Sequence, residues 1–260
     1  MNDITLVTGL YNLNREVDGD GRKMTDYVTW LKKTMLLNAP MIIYCEKVVF
    51  EQIKNIRNEY QYTKYIIIEK QDIYYFKFEK KVNEINKSKE YLNKIEGKDR
   101  LEVKLPNYNL LIMNKIEWLN DVANNNIFNS TFFMWIDAGC SRFFNNYNLA
   151  LKKEWPNINK LQKNKFNIQI KNNFFINHDI KDLIYHNDHL TTATIFSGTK
   201  NIINIMKEEV EKTFNYMLNN NCVNNEQIVF AIILKSNPEL LYGFINKTHL
   251  HLPFFEYLSA

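Results

Sequence analysis

The residue best placed for chemistry in this 260-residue chain is Asp137. It follows the most apolar stretch of the sequence, Thr131 to Ile136 (Thr-Phe-Phe-Met-Trp-Ile), and leads into Ala138 and Gly139. In a parallel α/β sheet, ligands gather at the carboxyl ends of strands. An acid there, with a glycine two residues on to let backbone approach closely, suits a metal-bound diphosphate or a ribose hydroxyl. The same residue types also suit an Asp that caps a turn or the next helix. A similar loop, Thr8-Gly9-Leu10-Tyr11 and then Arg15, follows the first apolar run. Tyr11 can lie against a nucleobase and Arg15 can reach a phosphate. Alternatively the loop is an ordinary strand-to-helix turn with a core tyrosine. It carries neither the G-x-G-x-x-G spacing of dinucleotide sites nor the lysine of a P-loop.

Two later groups complete the set. Asn224-Asn225-Glu226-Gln227 opens a helix, where Glu226 can act as general base on an acceptor hydroxyl or hold it by a hydrogen bond. In the competing reading Asn224 is the N-cap, Gln227 completes a capping box, and Glu226 complements the helix dipole. His249 and His251 share one face if the segment Thr248 to Pro253 is extended, as metal ligands or diphosphate donors would. His178, His186 and His189, with Asp179, Asp182 and Asp188, read instead as a polar surface loop. A zinc site needs three or four ligands, and Cys45, Cys140 and Cys222 are badly placed to supply them.

The elements that must position these residues follow from periodicity. Ile4 to Thr8, Met41 to Tyr44 and Tyr65 to Ile68 read as buried strands, alternating with helices over Met24 to Leu37 and Val48 to Arg57. That order predicts a mostly parallel sheet with helices on its faces. From Glu79 to Lys104 the chain is dense in Lys and Glu, which predicts a solvated helix on a peripheral excursion. Leu110 to Val122 is helical and carries Lys115. Thr131 to Ile136 is a strand. Arg142 to Lys171 is irregular and rich in Asn. Thr191 to Phe196 is a strand broken by Ser197-Gly198. Helices over Lys200 to Asn219 and Asn225 to Lys235 and a strand over Leu240 to Phe244 close the chain. No repeat and no Pro/Gly/Ser linker divides it, so residues 1–260 are expected to form one domain.

Composition narrows the class. Hydrophobic residues are 45% and charged residues 24% of the chain, the balance of a globular protein rather than a disordered one. The net charge of +4 is mild and dispersed; it favours phosphorylated or membrane-surface partners only weakly and forms no stripe of the kind nucleic acid requires. No segment reaches the roughly 18 apolar residues of a membrane span. The first residues lack a signal-peptide pattern, and the odd, scattered cysteines fit reduced thiols, so a cytoplasmic location is expected. Short Asn runs such as Asn124-Asn125-Asn126 are read as loop and cap residues rather than as low-complexity tracts.

In order along the chain, Thr5 to Tyr11, Arg22 with Tyr27 and Trp30, Met41 to Tyr44, Lys115 with Trp118, and Trp135-Ile136-Asp137-Ala138-Gly139-Cys140-Ser141-Arg142-Phe143 resemble the bacterial HtrL/YibB/WlaTC-like family. The resemblance runs from about Thr5 to Phe244, and its most specific part is Trp-Ile-Asp-Ala-Gly. It implies a GT-A-type α/β fold and a glycosyltransferase of surface polysaccharide or glycoconjugate synthesis. The donor would be a nucleoside-diphosphate sugar, UDP favoured, and the acceptor a glycan, lipid or protein. By position, Thr8, Gly9 and Tyr11 would hold the base, with Arg15, Arg22 and Lys115 facing the donor. Asp137, Ala138 and Gly139 would stand in the place of an Asp-x-Asp motif. Ser197 and Gly198 would line the acceptor side, and Glu226, or Asp188, would serve as base. A divalent cation, manganese or magnesium, would be held by Asp137 with His249 or His251.

One departure from that pattern is visible: Gly139 replaces the second acid. Either the cation relies on Asp137 and a late histidine, or Lys and Arg stabilise the leaving diphosphate instead. A nucleotidyltransferase is a rival class, but it would need a Gly-rich, basic first loop where this chain has Gly9-Leu10-Tyr11-Asn12. An inert carbohydrate- or protein-binding module that has kept the fold is the other.

Overall fold

A computed structural model describes residues 3–57, 62–144, 155–171, 177–187, 190–245 and 252–259. Seven strands form one sheet in the order β3-β2-β1-β4-β6-β5-β7. They are β1 (Ile4–Leu10), β2 (Met41–Cys45), β3 (Thr63–Ile67), β4 (Phe132–Ile136), β5 (Phe166–Ile170), β6 (Thr191–Thr199) and β7 (Leu241–Ile245). Every pairing is parallel except those of β6, which runs against both β4 and β5. The expected α/β sheet, mostly parallel and flanked by helices, is what the chain forms.

The continuous apolar runs in β1, β2 and β4 follow from burial on both faces. Successive side chains point to opposite sides, so Val7, Ile42, Tyr44, Phe133 and Trp135 enter one core, and Leu6, Met41, Ile43 and Met134 enter the other. Helices α1 (Arg15–Asp18), α2 (Met24–Thr34) and α3 (Lys47–Ile53) lie between the first three strands in sequence. Buried residues of α2 and α3 cover the second core. The first core is covered by α7 (Pro106–Asn125), and by two helices of the C-terminal half that are placed below.

Four expectations change. The Lys/Glu-rich segment is three short helices, α4 (Glu79–Lys87), α5 (Lys89–Lys94) and α6 (Leu101–Lys104). They are not merely solvated: Val82, Ile85, Tyr91 and Val103 join the core, and the Tyr91 hydroxyl donates to the Val223 carbonyl at 2.9 Å. Few apolar residues suffice because their spacing puts them on one face. The third strand is a half-buried edge rather than a buried one. Within the stretch read as irregular, β5 is an interior strand. Its alternate residues Asn167 and Gln169 are fully buried yet bonded: the Asn167 amide donates to the Gln162 and Lys165 carbonyls, and the Gln169 amide donates to the Thr192 hydroxyl. Polar residues made the segment look like loop, and their satisfied hydrogen bonds are what let it be strand.

The fourth change bears on function. β6 continues through Ser197 and Gly198 to Thr199, and it is antiparallel to β4, with Ile195 opposite Ile136 and Gly198 opposite Phe133. Its first residues, not its last, therefore lie beside Asp137. Ser197 and Gly198 sit toward the far end of the sheet, with Gly198 packed toward Ile202 and Ile203 of the following helix. The remaining helices are α8 (Ile180–Leu183), α9 (Lys200–Asn219), α10 (Glu226–Ser236) and α11 (Pro253–Tyr257); α9 and α10 complete the cover of the first core. No helix among the described residues is long and apolar enough to cross a membrane.

Candidate functional site

The strand order reverses between β1 and β4, since the chain leaves β1 toward β2 on one side and returns to β4 on the other. A crevice opens outside the carboxyl ends of strands at such a point. A cavity of about 230 Å³ occupies it. The loop after β1, the turn after β4 and the first half of α7 line it, with Thr194 of β6 at its floor.

At its base Lys115 of α7 bridges two carboxylates. The ammonium lies 2.8 Å from Asp137 Oδ1 and 2.7 Å from Glu226 Oε1, and it donates a third bond to the Ala193 carbonyl at 3.2 Å. All three of its protons are thereby engaged. Burial opposes that charge, but the Asp137 and Glu226 carboxylates outweigh burial and raise the Lys115 pKa. Burial raises the Glu226 pKa, with Lys115 pulling against it. Asp137 Oδ1 also accepts from the Trp135 indole at 2.7 Å. Two donors on one oxygen orient the carboxylate, and its side chain keeps 32% of its surface exposed at the cavity.

Aromatic rings build the walls. Trp118 stacks on Tyr11 at 5.5 Å, on Tyr44 at 5.1 Å and on Trp135 at 5.8 Å. Gly9 makes this possible: a Cβ there would stand 3.0 Å from the Trp118 ring. At the mouth, the Arg15 guanidinium lies over Tyr27 at 5.3 Å and over Tyr108 at 5.1 Å. Arg22 reaches the Tyr27 hydroxyl at 3.4 Å, and Arg142 lies over Trp30 at 5.1 Å. Arg15, Arg22, Lys115 and Arg142 thus bring four cationic groups to one cavity.

The cavity gathers Gly9, Tyr11, Arg15, Arg22, Lys115, Asp137, Ala138 and Gly139. Thr8 is one residue too early: it is fully buried in β1 and its hydroxyl has no hydrogen-bond partner among the described residues. Ser197 and Gly198 are not brought to it, for the reason of strand direction given above. Glu226 does not line it either, and lies behind Lys115 with 5% of its surface exposed. The cap of α10 is Asn225, whose side chain accepts from the Ile228 amide at 3.1 Å, one residue after the expected Asn224. Asn224 instead donates to the Ile184 and His186 carbonyls. Asp188, His249 and His251 lie outside the described residues. Sequence reasoning passed over Tyr108, Trp118, Trp135 and Thr194 as site residues; a tryptophan two residues before the acid was the available signal, and Tyr108 had none.

For a divalent cation, two carboxylates line the cavity among the described residues: Asp137, already paired with the Lys115 ammonium, and Glu16 of α1, 3.9 Å from the Lys23 ammonium. Gly139 adds no oxygen from a side chain, although a Cβ there would meet only ordinary contacts with Trp30 and Tyr27, at 3.4 and 3.6 Å. No group of three His, Cys, Asp or Glu gathers among the described residues. These residues alone do not form a cation site.

Burial against Lys115 sets the expectation for Glu226. A base that touches the acceptor would lose about 10²–10⁴-fold in rate on amidation, with little change in stability. A buried partner of Lys115 should do the reverse. For Glu226→Gln we expect unfolding free energy to fall by about 1–3 kcal/mol and turnover by less than tenfold. Urea denaturation and product release measured on the one variant check this, and a large rate loss in a fully stable protein would restore the base.

Several known proteins share features with this chain. Mouse xyloside xylosyltransferase 1, in its apo form, superposes with a TM-score of 0.44 at 10% identity, over 92% of this chain and 84% of its own. Core-mannan synthase A from Aspergillus fumigatus, in an Mn/GDP form, gives a TM-score of 0.46 at 10% identity, over 94% and 73%. No curated protein sequence matches significantly. The family model described as "Bacterial protein of unknown function (HtrL_YibB)" matches residues 2–251. With nearly its whole length matched, from β1 to beyond β7, the chain belongs to the HtrL_YibB family.

Proposed function

We propose that the protein is a glycosyltransferase that moves a sugar from a nucleoside-diphosphate sugar, UDP-sugar favoured, to a glycan, lipid-linked or protein acceptor. The observation that supports it best is the cavity itself: an oriented carboxylate, Asp137, at the carboxyl end of β4, faced by four cationic groups between aromatic walls. Glycosyl transfer breaks the bond from the anomeric carbon to the diphosphate oxygen, and the electron pair stays on the diphosphate. Fixed positive charge lowers that barrier, and Arg15, Arg22, Lys115 and Arg142 supply it. The acceptor oxygen bonds to the anomeric carbon and its proton leaves, to the departing diphosphate or to a carboxylate at the cavity. Holding the two reactants in line is largely positioning, for which Asp137 can accept a hydroxyl. Manganese or magnesium enters this reading through Asp137 and a ligand beyond the described residues.

Calorimetric titration with UDP, GDP, CDP and dTDP tests the reading, each with manganese and with EDTA. Heat is expected with UDP first and GDP second. Binding that survives EDTA assigns the diphosphate charge to the side chains, and binding lost in EDTA assigns it to a cation. No heat and no thermal shift with any of the four, at millimolar ligand and with manganese, would sink the proposal. A screen of sugar nucleotides for released nucleoside diphosphate then identifies the donor.

A further inference from the structure

The two arginines at the cavity mouth share a partner that the proposed reaction does not use. Asp20 takes Arg15 by two bonds, Nε to Oδ1 at 3.1 Å and Nη2 to Oδ2 at 2.6 Å, and Arg22 Nε lies 3.3 Å from the same Oδ2. Arg15 and Arg22 line the cavity and Asp20 does not. Asp20 sits between Gly19 and Gly21 on a turn closed by bonds from both glycine amides to the Arg15 carbonyl, at 3.1 and 3.0 Å. Gly21 has φ +77°, with open space around it. The carboxylate thus occupies the forked edge of Arg15, the edge that also binds phosphate bidentately.

We propose that Arg15 and Arg22 form an oxyanion subsite for the ligand's diphosphate and that Asp20 is its built-in counter-ion, holding the guanidinium edges until a diphosphate takes them. The identity of the ligand rests on the glycosyltransferase reading. Three observations make the exchange feasible. Asp20 keeps 32% of its side-chain surface exposed, so water can solvate its carboxylate once a diphosphate displaces it from Arg15. A diphosphate carries more charge than one carboxylate and presents several acceptor oxygens. Arg15 has contacts besides Asp20, since its guanidinium also lies over the Tyr27 and Tyr108 rings. Removing the carboxylate therefore removes both a competitor for the fork and a negative charge beside the incoming anion.

The test compares wild type with Asp20→Asn, and with Asp20→Ser as a second variant, for binding of UDP, uridine and inorganic pyrophosphate. UDP and pyrophosphate are expected to bind about tenfold tighter to both variants, the equivalent of about 1.4 kcal/mol, while uridine stays within about twofold. A structural disturbance would not tighten the phosphorylated ligands alone. Unchanged or weaker UDP and pyrophosphate binding overturns the counter-ion role, as does an equal gain for uridine. If wild type binds UDP but the variants gain nothing, only this inference falls. If pyrophosphate binds and tightens while no nucleotide binds, the subsite stands and the nucleotide-sugar reading falls. If neither UDP nor pyrophosphate binds any of the three proteins, both fall.

Discussion

Lys115→Met is expected to destabilise the protein by about 3–5 kcal/mol, the loss found when one partner of a buried ion pair is removed. Lys115 is 8% exposed and Glu226 is 5% exposed. The ammonium is the cation between Glu226 and Asp137, and without it two carboxylates face each other with no neutralising partner. Methionine fills nearly the same volume, so a cavity contributes little. The double variant Lys115→Met/Glu226→Gln separates charge from packing. If the ion pair is the cause, the double variant recovers most of the loss, because removing both charges is far less costly than removing one. Urea denaturation of the two single variants and the double gives the coupling directly. Additive losses, or a single-variant cost below about 1 kcal/mol, would show that Lys115 is held by its aliphatic stem and not by its charge.

Asp137→Asn should have the opposite profile, with a large loss of activity and a small loss of stability. The amide is close to isosteric and can still accept from Trp135, and Lys115 keeps Glu226 and the Ala193 carbonyl. Stability should change by no more than about 1.5 kcal/mol. Release of nucleoside diphosphate from the sugar nucleotide should slow by about 10²–10³-fold, the usual cost of removing one preorganised polar group at reacting atoms. Running the assay with manganese and with EDTA adds a distinction. A defect confined to the manganese arm identifies Asp137 as a cation ligand, and an equal defect in both identifies it as an acceptor for a hydroxyl. A turnover within about threefold of wild type would remove Asp137 from the machinery and leave it as a partner of Lys115.

The contrast between these two variants follows from the geometry of one bridge. Lys115 contacts both carboxylates, but only Asp137 is turned toward the cavity. Glu226, placed by its number on the first turn of a helix, looked available for chemistry. The fold seats that turn against α7, where the carboxylate pairs with the Lys115 ammonium.

Much of the scaffold was legible in the amino-acid sequence because it rests on local pattern. Apolar runs at Ile4, Met41 and Phe132 report burial on both faces, which is a property of central parallel strands. The helix over Lys200–Asn219 follows from its own periodicity. Gly9 and Asp137 stand out because a glycine and an acid at strand ends are chemically conspicuous against their neighbours. Relations between distant segments were not legible. Nothing local says that β6 runs antiparallel, yet that direction sends Ser197 and Gly198 away from the cavity, brings Thr194 to it and sets the Ala193 carbonyl against Lys115. Nothing local says that Asn167 and Gln169 find partners that make an interior strand possible. Glu226 and Lys115 are 111 residues apart, and only packing of α10 against α7 turns two ordinary helix residues into one buried pair. Sequence periodicity determines which face of each element is apolar. Which charges end up sharing a desolvated space is decided by how those faces are assembled, and that depends on contacts no single segment contains.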